Sequence, residues 1–265
     1  MFRQLTPMVK NLLIVNIGLF AIGNFIRFDI NGLFSFYGFS SPEFQPYQLF
    51  THMFLHANLG HLFSNMIGLF FFGSMLEKFW GSNKFLTYYI VTGLGAGILY
   101  GAVNFYEYKQ TEKAMYAYAE HPTPEGYFTF LRDNYPRFRG NEAILNIGEK
   151  FDESPKSQEL AQTSVSAVKK ITGWIRDTPM LGASGAIFGL IIAMAMLFPN
   201  TMLYLLFPPI PIKMKYFALF YGLYSIYSIV KAAPNDNVAH FAHLGGMLIG
   251  FIMIKIWDKD RKNFY

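Results

Sequence analysis

Apolar residues run along this chain in long blocks, each about the length a helix needs to cross a bilayer, separated by short polar or glycine- and proline-rich stretches. Six blocks read this way: about Met8 to Ile26, Gly60 to Glu77-Lys78, Phe85 to Phe105, Met180 to Phe198, Met214 to Val230 and Val238 to Trp257. Residues 27–59 are aromatic and broken by Asn31-Gly32, Gly38, Pro42 and Pro46, a mixture that suits the membrane surface and not its interior. From Tyr106 to Thr178 the pattern changes to mixed charges and prolines, with helical periodicity over Glu142–Phe151 and Gln158–Ile175. Gly93, Gly97 and Gly101 recur at every fourth position of the third block and predict close helix packing there.

The expected fold is therefore an all-α membrane protein of six transmembrane helices, with an interfacial first loop and a soluble insertion between helices 3 and 4. Residues 1–105 form the first half of the membrane core, with the interfacial loop at 27–59. Residues 106–178 form the insertion, 179–258 the second half of the core, and 259–265 a cytoplasmic tail. Half of the 265 residues are hydrophobic, and the chain has no cysteine, which excludes thiol and thiolate–metal chemistry. The net charge of +5 suits basic inner loops and calls for no nucleic acid. No cleavable leader is expected, because no small-residue cleavage site follows the first apolar block. With the N-terminus inside, the inner face collects Arg3, Lys10, Lys78, Lys84, Lys213, Lys215, Lys255, Lys259, Arg261 and Lys262, against Arg27 and Lys231 in the short outer loops. Both termini are thus expected in the cytoplasm and the insertion outside, with a bacterial inner (plasma) membrane as the expected location.

Alternating crossings make the second, fourth and sixth helices all start at the outer face, and each carries its polar residues near that start. His61 and Asn65, four apart, share a face of the second; Ser184 opens the fourth; His240 and His243 lie early on the sixth. At 1.5 Å per residue these groups lie on the order of 5–10 Å below the outer surface, where unpaired polar groups are costly. Ser184 is the candidate nucleophile, beside the free N–H groups of a helix start. His243 is the candidate base, preferred to His240 because Gly246 and Gly250 follow three and seven residues later on its face. Those glycines let the sixth helix approach Gly185 and Gly189 closely enough for a serine–imidazole hydrogen bond. Phe188, four residues after Ser184, is expected as an aromatic floor beneath the pair. His61, Asn65 and the Ser184 N–H are the candidate oxyanion donors. No Asp or Glu stands near these helix starts, so a Ser–His dyad is expected and not a triad. The competing reading of the Gly-Ala-Ser-Gly string is a plain packing surface.

His52, His56 and His61 raise a metal site, but the stretch has neither the glutamate of His-Glu-x-x-His nor any Asp or Glu to complete a zinc site. No metal and no cofactor are expected; His52 and His56 are read as buttressing the interfacial loop through hydrogen bonds.

Taken together, these residues resemble the rhomboid intramembrane serine proteases. Gly182-Ala183-Ser184-Gly185 resembles the family's Gly-x-Ser-Gly motif. Ala242-His243-Leu244-Gly245-Gly246 with Gly250 resembles its Ala-His-x-x-Gly-x-x-x-Gly motif, and His61 with Asn65 its His-x-x-x-Asn pair. His52 and His56 match two upstream histidines, and Glu77-Lys78 with Gly81 the end of its second helix. The resemblance implies a rhomboid-like bundle that cleaves transmembrane or membrane-adjacent peptide bonds of single-span membrane proteins without metal or cofactor. It also implies that substrate approaches near the fifth helix and the interfacial loop. Tyr47-Gln48 replaces the Trp-Arg pair usual in the first loop, Phe188 an aromatic that is often Tyr, and the insertion lies outside the family core. Its partner is unknown. Two other classes remain: an inactive rhomboid-like protein that binds membrane clients, and a transporter or channel. The first sits poorly with a chain that keeps both nucleophile and base. The second would need charges along a path through the bilayer, and the six blocks carry almost none inside.

Overall fold

The computed structural model describes residues 5–25, 29–134, 141–204, 210–231 and 239–262. The first helix, α1 (Pro7–Phe25), begins on a carboxylate distant in sequence. Glu77, 3% exposed, accepts the Met8 and Val9 N–H groups on its two oxygens, both at 2.9 Å, and the Ser82 hydroxyl at 2.6 Å. A helix start leaves such N–H groups unpaired and favours negative charge, so Glu77 ties α1 to the end of the next long helix.

That helix runs from Leu59 to Trp80 in three pieces: α4 (Leu59–Gly68), a π-helical turn over Leu69–Gly73, and α5 (Ser74–Trp80). Asn58 caps α4 by accepting the His61 N–H at 2.9 Å, and Gly81, at φ +80°, ends α5. Helix α6 (Ser82–Glu120) follows, 39 residues long. At about 58 Å it far exceeds a bilayer's apolar thickness.

Among the described residues, four helical runs are long and apolar enough to cross a membrane: α1, Leu59–Trp80, α6, and residues His240–Trp257 of α12 (His240–Lys262). Helix α10 (Ser184–Leu197) is shorter, 14 residues, and is buried almost all round between α6 and α12. That enclosure explains its lack of a polar face. Helix α11 (Met214–Lys231) packs on α10 and α12. Between α10 and α11 an antiparallel pair, β1 (Met202–Tyr204) and β2 (Pro211–Lys213), pairs Met202 with Lys213 and Tyr204 with Pro211.

The interfacial stretch holds two short helices, α2 (Ile30–Phe34) and α3 (Gln48–Thr51), and a 3-10 turn over His52–Phe54. Gln48 is its internal peg: 2% exposed, it accepts the Gln45 N–H and donates to the Leu33 and Glu43 carbonyls. Beyond α6, helices α7 (Pro124–Asn134), α8 (Glu142–Glu153) and α9 (Gln158–Asp177) pack with the end of α6 around Tyr118, Tyr127, Phe130, Ile144, Val168 and Ile171, a second core separate from that of the membrane helices.

Several expectations are corrected. The third helix does not stop at Phe105; α6 continues through Tyr108, Thr111, Met115 and Tyr118, whose buried side chains keep helical spacing. The boundary expected at 105/106 thus falls inside one helix. The fourth helix begins at Ser184 and not at Met180, because Gly182 sits at φ +128° and breaks the helical path. Gly93, Gly97 and Gly101 receive the interfacial loop in place of another helix: a Cβ on them would strike Met53, His52 and the Phe36 and Phe39 rings. The expected tail 259–265 begins within α12, which ends at Lys262. Pro234-Asn235-Asp236-Asn237, which the sequence reads as the turn between the fifth and sixth apolar blocks, lies outside the described residues.

Candidate active site

Ser184 is the first residue of α10. Gly182 creates the bend before it, and its missing side chain makes room for His61, since a Cβ there would stand 2.7 Å from Cε1 and Nε2 of that ring. The first N–H groups of α10 lie outside the helix's own hydrogen-bond ladder and face this turn.

His243, on the first turn of α12, places Nε2 2.9 Å from Ser184 Oγ. The two helices come together because neither has side chains at the crossing. A Cβ on Gly246 would lie 1.9 Å from the Gly185 carbonyl oxygen, and one on Gly250 3.2 Å from Gly189 Cα. Gly185 in turn rests on Ala96, and Gly189 on Thr92. The Tyr88 hydroxyl donates to the Gly189 carbonyl at 2.8 Å, pinning α10 to α6 one turn below Gly185.

Phe188 lies flat on the His243 ring, centroids 4.0 Å apart and planes at 8°. Tyr221 of α11 meets Phe188 edge-on at 5.8 Å, and Phe217 lies between Tyr221 and Phe72 of the π turn. Sequence reasoning did not single out Tyr221, Phe217, Tyr88 or Thr92; the four-residue spacing of Tyr88 and Thr92 was the available signal. His240 is edge-on to His243 at 5.7 Å and to Tyr224 at 5.9 Å, so it borders the pair while His243 makes the contact with Ser184.

The expected oxyanion residues differ in their engagement. The Ala57 N–H points at His61 Nδ1 at 3.5 Å, which leaves Nε2, the atom beside Gly182, to carry the proton. Asn65, 5% exposed, spends one amide N–H on the His61 carbonyl at 3.0 Å and keeps a second. Behind them, His52 Nδ1 donates to the Gln48 carbonyl at 2.8 Å, and the His52 carbonyl accepts the Gly182 N–H at 2.9 Å. These two bonds join His52 to the interfacial loop and to the turn before Ser184. For His56 the expected hydrogen bonds are corrected: both ring nitrogens are buried and unpartnered, and the ring packs edge-on against His61 at 5.1 Å. Burial pushes the His52 imidazole down to about 4. Burial, helped by neighbouring His61, pushes His56 to about 3. Among the described residues, no group of three or more His, Cys, Asp or Glu side chains is placed to hold a metal ion.

A bundle of apolar helices with a serine and an imidazole joined at a helix start defines a helical membrane protein with a candidate hydrolytic centre. The chain belongs to the rhomboid family: the family model for the Rhomboid domain matches residues 43–116 and 158–258. Rhomboids are in general intramembrane serine proteases, and some rhomboid-like proteins are inactive. The chain is 27% identical to RHOMBOID-like protein 12, mitochondrial, of Arabidopsis thaliana, over 96% of its own length and 58% of the relative's. It is 26% identical to an uncharacterized mitochondrial rhomboid protein of Schizosaccharomyces pombe, over 83% and 54%. Over 33% of the chain it is 33% identical to Rhomboid-like protein 11, chloroplastic, of Arabidopsis thaliana. The chain thus spans a little over half the length of the two relatives that match most of it. Their names place them in mitochondria, which conflicts with the bacterial membrane expected; the apolar helices carry the membrane location itself.

Proposed function

We propose that this protein is an intramembrane serine endopeptidase that cuts single-span membrane proteins in or beside the membrane. The observation that carries this reading is the 2.9 Å contact between Ser184 Oγ and His243 Nε2, made between two helices that meet through glycine backbones. In the proposed reaction, Ser184 Oγ attacks the scissile carbonyl carbon and its proton passes to His243 Nε2. The carbonyl oxygen becomes an oxyanion that takes hydrogen bonds from the Ser184 N–H, His61 Nε2–H and the free Asn65 N–H. The imidazolium then protonates the departing amine, the C–N bond breaks, and an acyl-enzyme remains. Water, deprotonated by His243, attacks the ester, and Ser184 leaves with its proton restored.

Six crossings, counting α10 and α11, put the starts of α4, α10 and α12 at the outer side. The insertion then lies outside and both termini inside, in line with the basic residues. Substrate reaches Ser184 from the side of α11, where Leu219, Phe220 and Leu223 are exposed and apolar. The test is cleavage of a single-span substrate with small residues near its outer end, co-reconstituted in liposomes. The wild type should cut it, and Ser184→Ala, equally folded, should not. A wild type that binds the substrate and leaves it whole would favour the client-binding alternative.

A further inference from the structure

Ser184 is reached from Asp177, the last residue of α9, through residues 178–183, a connector without a helix of its own. The interfacial loop holds the helix end and that connector at three successive points. The Ser41 hydroxyl donates to Asp177 Oδ1 at 2.7 Å. Phe36 and Met180 exchange two backbone hydrogen bonds, both 2.8 Å. The Gly182 N–H donates to the His52 carbonyl at 2.9 Å. The loop is itself seated on α6, where Gly97 and Gly101 admit His52, Phe36 and Phe39. From the insertion side, Arg176 grips Asp177 with Nε and Nη2 at 2.9 and 2.7 Å, and Asn104 of α6 donates to the Ile175 carbonyl at 3.3 Å. Arg176 first, and then the Ser41 hydroxyl, hold the Asp177 carboxyl below its ordinary range. Two of the three fastenings are backbone bonds that no side-chain change removes. The first depends on two side chains, and it is the one nearest the insertion.

We propose that Ser41 and Asp177 are positioning residues: their hydrogen bond fastens the end of the insertion to the interfacial loop, and through that loop fixes where Ser184 stands against His243. The insertion is then a part of the catalytic frame, since α6 leaves the membrane core for it and α9 returns from it onto the nucleophile turn. The proposal rests on the protease reading. A displacement on the order of 1 Å at a nucleophile is enough to slow the chemistry severely, without touching substrate affinity.

Ser41→Ala and Asp177→Ala should each lower kcat, and the rate of labelling by a fluorophosphonate, by about 3- to 10-fold with KM and thermal midpoint little changed. The double variant should fall no further, and Ser41→Thr, which keeps the hydroxyl, should retain the rate. The chain has no cysteine, so Ser41→Cys with Asp177→Cys introduces a lone pair that can be joined by oxidation or a short bifunctional thiosulfonate. The joined protein should cleave at nearly the wild-type rate and lose several-fold on reduction. An active wild type whose Ser41→Ala variant is indifferent, a pair that cannot be joined, or a rate that reduction does not change would overturn the proposal alone. A wild type that neither cleaves nor takes the label would overturn the protease reading, and this proposal with it.

Discussion

His243 rests face to face on Phe188, one turn beyond Ser184 on the same helix, with ring planes only 8° apart. One element thus carries both the proposed nucleophile and the platform that sets the plane of the proposed base, so that Nε2 and not a ring carbon meets Oγ. Aromatic stacking of this kind contributes about 0.5–1.5 kcal/mol. Phe188→Leu, which keeps apolar bulk and removes the flat face, should lower kcat by about 3- to 10-fold with KM nearly unchanged. Steady-state cleavage in liposomes measures both.

The approach of α12 to α10 is backbone on backbone at Gly246. Gly246→Ala puts a methyl group 1.9 Å from the Gly185 carbonyl oxygen, a main-chain atom that cannot swing away. The helices must part, and the Ser184–His243 contact opens. We expect activity to fall by about 100-fold or more, together with a lower thermal midpoint. Gly18→Ala on α1, where a Cβ meets nothing within 4 Å, should leave both unchanged.

The oxyanion assignment separates two residues by their engagement. Losing one such donor costs on the order of 100- to 1,000-fold in kcat. His61→Ala should approach that range, because Nε2 stands directly over Gly182. Asn65→Ala should also slow turnover. It should destabilise the protein by only about 1 kcal/mol, since the hydrogen bond it loses lies within its own helix. Turnover numbers and melting of both variants check the assignment.

Acid should loosen the interfacial loop. Burial holds His52 at about 4 and His56 at about 3, against 6.5 for an exposed imidazole, so both rings are neutral in the folded protein at neutral pH. Below 6.5 the unfolded chain binds protons that the folded one refuses. Stability is therefore full above that pH and falls as the pH drops, until the folded groups titrate too. His52 alone accounts for roughly 3 kcal/mol over that window. Thermal midpoints from about pH 8 to about pH 4 should fall in the wild type and fall less in His52→Gln.

The site was legible in the sequence where local spacing carries the physics. Gly246 and Gly250 sit three and seven positions after His243, and Phe188 one turn after Ser184, so a helical net already stacks them on shared faces. What required the fold is contact between distant segments. Glu77 reads as a charge at a helix end, yet it caps α1 some 68 residues earlier. Gly93, Gly97 and Gly101 announce a close approach but cannot say that a loop fills it. The continuation of α6 past Phe105 was hidden because its polar face there takes over from a wholly apolar one. β1 and β2 escaped notice because they are only three residues each, too short to show alternation.

The most direct test is to treat the membrane-reconstituted protein with a fluorophosphonate and locate the adduct by peptide mass spectrometry. A single adduct on Ser184, abolished by His243→Ala in a protein that still melts like the wild type, is the predicted result. An adduct on another residue, or labelling of Ser184 that ignores the loss of His243, would contradict the claim that these two side chains form a working pair.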